Sequence, residues 1–237
     1  MIPGKPRAGR MIRFAAAALT AAALSACGVS NVDGVSVKWP PFKEGTPVAL
    51  PSDAAQCPDL AGVYRAQGER REGDPQALLI NDLHDFLLYP LDLPGMRGAS
   101  MPAWRSSPAA TVAFSKAAEG WDVLALDGQG ARVVARLFLQ DGGANAAEAD
   151  WAAMRPGEAI RREAGCTQGR LWVSVRHDWR QHESTGVRRH VAILRKESDG
   201  LLLTVARESD SIGMLLPWYT NDSSQAQYWF APAADRP

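Results

Sequence analysis

The chain holds 237 residues, 46% hydrophobic and 22% charged, long enough to bury a core and too apolar for a disordered chain. Lys and Arg total 26 and Asp and Glu total 26, a balance that removes the electrostatic case for a nucleic-acid binder. Three cysteines exclude a disulfide-dense scaffold.

The N-terminal segment carries Lys5, Arg7, Arg10 and Arg13 without an acidic residue, and Phe14 to Leu24 is an apolar run. A basic stretch before about a dozen apolar residues is the order of a secretory signal peptide, too short to span a bilayer as a helix. Met11 is an alternative start that keeps the same run. Leu24-Ser25-Ala26-Cys27 follows, then Gly28. This order resembles the lipobox of bacterial lipoproteins, in which small residues precede a cysteine that is lipidated and becomes the first residue after cleavage. The resemblance implies a signal peptide at 1–26 and three acyl chains on Cys27, enough for stable membrane attachment. It also implies a cell-envelope location. Gly28, where aspartate would mark inner-membrane retention, implies the outer membrane with the body facing the periplasm. An ordinary signal peptide with a chance cysteine is the plainer alternative. Removing residues 1–26 takes away four basic groups and leaves 22 basic against 26 acidic.

Residues 27–56 contain Pro40, Pro41, Pro47 and Pro51; these forbid a regular helix and predict an extended tether between lipid and domain. Trp39 and Phe42 within it either fold back onto the domain or meet a partner. With Cys27 acylated, Cys57 and Cys166 remain, an even number in an oxidising compartment. A structural disulfide between them is the natural reading, two separate thiols the alternative. Neither stands at the spacing of a redox or zinc motif.

The domain is expected over 57–237. Asp74-Pro75 offers an N-cap with proline at the first helical position, and Leu79, Leu83, Phe86 and Leu87 recur at helical spacing, which predicts a helix over 75–88. Leu78-Leu79-Ile80 fits a short buried strand equally well. The period then changes to two. Strands are predicted at 111–116, 121–127 and 131–140, with turns near Gly120 and Gly130. Asn145 and Glu148 have capping-box-like spacing, and a second helix is expected over 145–155. Further strands are predicted at 170–177, 188–196, 201–208 and 212–219, with Ser198-Asp199-Gly200 as a hairpin signal and 227–230 as a short closing strand. Without βαβ alternation, these make a mainly β fold: a single antiparallel sandwich or small barrel of about seven or eight strands with one or two short helices.

Cys57-Pro-Asp-Leu-Ala-Gly-Val-Tyr64, Cys166 before Leu171-Trp-Val, and Asp199-Gly200-Leu201 together resemble a group of proteobacterial envelope lipoproteins without an assigned activity. Gly62-Val63-Tyr64 is also similar to the Gly-x-Trp of lipocalins, with a different aromatic and an earlier helix; that resemblance implies a carrier of a small apolar or lipid ligand.

No Gly-x-Ser-x-Gly, His-Glu-x-x-His, phosphate loop or dinucleotide fingerprint occurs. The sequence therefore points to no enzyme and no cofactor. The unusual cluster is His177, Arg180 and His182, followed by Arg188, Arg189 and His190, a candidate contact for an anion or a metal. Its plainer reading is a solvated hairpin in which Asp178 and Glu183 offset the arginines. Between Arg161 and Lys196 stand nine basic and three acidic residues, an asymmetry suited to anionic headgroups. The eight tryptophans are expected in core or rim positions. The sequence thus leads to a lipid-anchored binding or scaffolding module, with an envelope protein or an anionic headgroup as partner. A lipid carrier, or a hydrolase of an envelope polymer using Ser184 or His182, are the alternatives.

Overall fold

A computed structural model describes residues 29–42, 45, 48–75, 77, 80, 82–88, 110–117, 120–127, 130–138, 159–213 and 218–233. The chain divides between Trp39 and Pro40 into two units. In the first, β1 (Val29–Val32) and β2 (Val35–Lys38) form an antiparallel hairpin with Val29 opposite Lys38. Its turn is Asp33-Gly34, both at positive φ (48° and 81°), the backbone a two-residue hairpin with matching strand twist demands. Gly34 N–H donates to Asn31 Oδ1 at 2.9 Å, and Trp39 Nε1 donates to Ser30 Oγ at 2.9 Å. A third of the expected tether, residues 29–38, is therefore a folded hairpin.

The second unit is mainly β, and every ladder in it is antiparallel. Its elements are β3 (Gly62–Arg65), β4 (Glu69–Gly73), α1 (Leu83–Leu88), β5 (Thr111–Ala117), β6 (Gly120–Asp127) and β7 (Gly130–Phe138). The long strands follow: β8 (Ala159–Thr167), β9 (Arg170–Gln181), β10 (Ser184–Glu197), β11 (Gly200–Gly213) and β12 (Trp218–Phe230). One sheet has the order β4-β12-β11-β10-β9-β8 and the other β3-β5-β6-β7. Two-residue turns at 168–169, 182–183 and 198–199 join β8 through β11 and fix their register. Beyond β12, Arg65 N–H donates to Ala231 O and Ala233 N–H to Val63 O, both at 2.9 Å. The continuation of β12 thus runs along β3 and links the two sheets.

The core draws on both sheets and on α1. Leu171, Leu194, Leu203 and Tyr228 form one cross-strand row, packed in the same cluster as Tyr64, Phe114, Trp121, Leu83 and Leu87. Burial pushes the Tyr64 hydroxyl up, as does Asp59, and this hydroxyl donates to Leu60 O at 3.1 Å. The disulfide Cys57–Cys166 closes a 109-residue separation at the edge of this core. Four tryptophans lie over strand glycines: a Cβ at Gly165, Gly186, Gly200 or Gly213 would overlap the ring of Trp172, Trp179, Trp229 or Trp218. These rings cover backbone that a glycine leaves bare.

Several expectations are corrected. The small barrel is not formed: the six-stranded sheet ends in β4 and β8, and among the described residues no ladder joins β8 to β4 or to β7. Within 57–237 the described strands number ten, β3 to β12, against the seven or eight expected. The helix over 75–88 is confined to Leu83–Leu88. Gly73, at φ 102°, abuts β12, and Asp74 N–H donates to Gln225 O at 3.0 Å, so Asp74-Pro75 turns off a strand instead of starting a helix. The strand over 212–219 is two strand ends, because β11 stays paired with β10 through Gly213 and β12 begins at Trp218. The helix expected over 145–155 lies outside the described residues.

Candidate functional site

Strand periodicity alone divides the cationic cluster. Neighbouring residues on a strand face opposite ways, so Arg188 and His190 share the core-side face of the sheet with His177, while Arg189 shares the outer face with Arg176. Arg180 is exposed at the far end of β9, and His182 is exposed in the turn at φ 51°. The six candidates are therefore distributed over two faces and a turn. Among the described residues no three His, Cys, Asp or Glu side chains gather at metal-binding distance. Ser184 opens β10 opposite Gly213, the last pair of the ladder.

On the core-side face the His190 ring stacks on Phe86 with centroids 5.7 Å apart. Arg162 Nη1 donates to Leu87 O at 3.3 Å, and the Arg188 guanidinium stands 5.3 Å over the Trp179 ring. His84, Arg162, His177 and His190 are all buried. This is a basic end to the core, fastened to α1.

The outer face carries the organised charge. Register sets Arg161, Arg176, Arg189 and Glu208 side by side on β8 to β11. Three adjacent cations would repel, and two structures offset them. The first is carboxylates. Arg176 Nε donates to both oxygens of Asp178, at 2.9 and 3.1 Å. Arg189, only 2% exposed, pairs through Nη2 with Asp210 and at 3.4 Å with Glu208. Asp210 Oδ1 in turn accepts from Tyr219 Oη at 2.6 Å and from Asn221 Nδ2 at 2.7 Å. Burial acts to raise the Asp210 carboxyl, but the Tyr219 and Asn221 hydrogen bonds and the Arg189 charge outweigh it and hold it below its usual range. Glu208 is pushed up by burial; Arg189 opposes this and Asp210 adds to it.

The second is a strap of main chain. Arg189 Nη1 donates to Pro40 O, Arg176 Nη2 donates to Phe42 O at 3.4 Å, and the Arg161 guanidinium lies against Gly45. Residues 40, 42 and 45 thus cross the sheet along the arginine row. The chain then returns: Trp172 Nε1 donates to Pro51 O at 3.1 Å and Asp53 N–H to Cys166 O at 2.8 Å. Asp53 caps a short 3-10 turn, Ala54–Gln56, which leads into the disulfide. Prolines suit this path because a strap that offers carbonyls to arginines needs few N–H groups of its own. Pro40, Phe42, Gly45, Pro51 and Asp53, expected in the tether, are thus held against the sheet.

Sequence reasoning named Arg189 but missed Asp210, Glu208, Tyr219 and Asn221, the groups that hold it. The signal was the alternation in Arg188-Arg189-His190, which forbids a single shared site. The end of the β11–β12 pair is different again. Ile212, Trp218 and Tyr219 are 37%, 42% and 60% exposed, and register puts Arg180, Thr185, Ile212 and Tyr219 in one outer row. Comparison with protein-family models, with curated proteins and with solved structures yields no match.

Proposed function

We propose that the chain is an envelope lipoprotein, acylated on Cys27 and held by it to the outer membrane, whose body binds or scaffolds and does not catalyse. The observation that carries this reading is the Cys57–Cys166 disulfide, since a structural disulfide belongs to a protein exported to an oxidising compartment. The lipobox-like Leu24-Ser25-Ala26-Cys27 supplies the anchor. The two sheets are read as the layers of a sandwich, a reading supported by a core fed from both. The arginine row supports a mechanical role: Arg189 and Arg176 grip Pro40 and Phe42, so a pull arriving from the lipidated end meets the sheet at buried ion pairs. The neighbouring carboxylates and the strap engage these cations, which leaves the exposed end of the long strands as the surface for an envelope protein or anionic headgroup.

Labelling of growing cells with radioactive palmitate tests the anchor. Label is expected on the wild-type chain and absent from Cys27→Ala; an unlabelled wild-type chain contradicts the proposal.

A further inference from the structure

We propose that the stretch fastened to the sheet at Pro40, Phe42, Gly45, Pro51 and Asp53 is a reserve of tether length: a load entering from the Cys27 side lifts it off the sheet and is stopped at the Cys57–Cys166 disulfide, while the sheets stay folded. The inference rests on the mechanical reading above and takes from it only the source of the load. The fastenings are of two kinds. Pro40 O, Phe42 O and Pro51 O accept from the Arg189, Arg176 and Trp172 side chains, and among the described residues none from Pro40 to Pro51 belongs to a strand. Prolines at 40, 41, 47 and 51 lack the N–H that a ladder needs. Lifting this stretch therefore breaks separate bonds to side chains, one after another, and no β-ladder.

The sheet stays satisfied when the stretch departs. Arg189 keeps Asp210 and Glu208, and Arg176 keeps Asp178, so neither buried cation is left without a carboxylate, the change that a buried charge tolerates least. Asp210 stays bonded to Tyr219 and Asn221. Val48 and Leu50, within the stretch, are buried, and the removal of their side chains from water favours reattachment once the load is gone.

The stop is covalent. Asp53 N–H donates to Cys166 O at 2.8 Å and Gln168 N–H to Gln56 Oε1 at 2.7 Å, and Cys57 is then bonded to Cys166. Cys166 lies in β8, which pairs with β9 from Ala159 to Thr167, and β9 pairs with β10 from Leu171 to Gln181. A load that reaches the disulfide passes into these long ladders and not into β3, which follows Cys57 in the chain. From Lys38 to Cys57 the chain spans roughly 65 Å at most when extended, which bounds the length released.

The test is single-molecule stretching of the full chain between handles on Lys38→Cys and Glu183→Cys, both exposed positions, with Cys27→Ala removing the remaining thiol. Glu183 lies in the turn beyond β9, so after the stretch is released the pull runs along the strands and loads their bonds together. A first, low-force extension of no more than about 65 Å is expected, reversible on relaxation and separate from rupture of the sheet. Arg189→Met joined to Asp210→Ala is expected to lower the force of that extension and leave its length unchanged, and a retained sheet rupture in the same trace shows that the variant is folded. Reducing agent is expected to lengthen the first extension, because Cys57 no longer ends it. A chain that yields first by rupture of the sheet, or whose first extension exceeds the bound with the disulfide intact, overturns the proposal. So does a first extension whose length reduction leaves unchanged, or whose force the double variant leaves unchanged. None of these outcomes bears on palmitate labelling, so the length reserve and the acyl anchor fail separately.

Discussion

At the Cys166 end of the long strands, Leu171, Leu194, Leu203 and Tyr228 lie side by side in the core beside a disulfide. Nine residues further along β9, the row is Arg180, Thr185, Ile212 and Tyr219. Between them, on the outer face, buried Arg189 grips the strap and pairs with Asp210. The same ladder is thus held by hydrophobic burial and a cross-link at one end, and by ion pairs and main-chain carbonyls towards the other. Apolar packing is non-directional and tolerates change, whereas a buried cation tolerates the loss of a partner poorly. The two ends should therefore fail in different ways.

The largest effect is expected at the charged end. Asp210→Ala leaves Arg189 buried with its nearer carboxylate gone and should cost about 3–5 kcal/mol in urea unfolding. Joining it to Arg189→Met should recover most of that loss, because replacing both charges removes the orphan. A double variant no more stable than Asp210→Ala would show that the ion pair is not what ties this region together. At the stapled end, Cys57→Ser with Cys166→Ser should cost roughly 2–5 kcal/mol. It should also leave the Arg189–Asp210 coupling unchanged in a double-mutant cycle, since the two sites are independent.

A smaller and sharper contrast lies in pH. Burial opposes but hydrogen bonds and Arg189 depress the Asp210 carboxyl. Its contribution is present above its ordinary value of 3.8 and is lost as pH falls through the depressed one. Glu208 has the opposite sign: raised by burial, it favours folding below its ordinary 4.5 and loses that contribution as pH rises through the raised value. Urea midpoints from pH 3 to 7 should therefore show an acid loss that Asp210→Asn abolishes, and a mild decline above 4.5 that Glu208→Gln abolishes.

β5, β6, β7, β9, β10 and β11 were legible because their period is two and most of their turns carry Gly or Asp-Gly; β8 was not read, because Arg161-Arg-Glu-Ala-Gly165 shows no clean alternation. Asp33-Gly34 carried the same signal inside a segment whose prolines dominated the reading, and so the first hairpin was missed. β12 was read only at its two ends, because Thr220-Asn-Asp-Ser-Ser224 has little strand propensity and is held by continuous pairing with β11. The pairing of Arg189 with Asp210 was not legible at all. It joins residues 21 apart through the register of two strands, and composition cannot supply a register. The strap was hidden for a related reason: prolines announce an extended chain but not what it lies upon.

The claim on which the account turns is that Cys27 is the lipidated first residue of the mature chain. Mass spectrometry of the N-terminal peptide from protein extracted from the envelope tests it directly. The account predicts a peptide beginning at Cys27 and carrying three acyl chains. A peptide that begins elsewhere, or an unmodified Cys27, would contradict it.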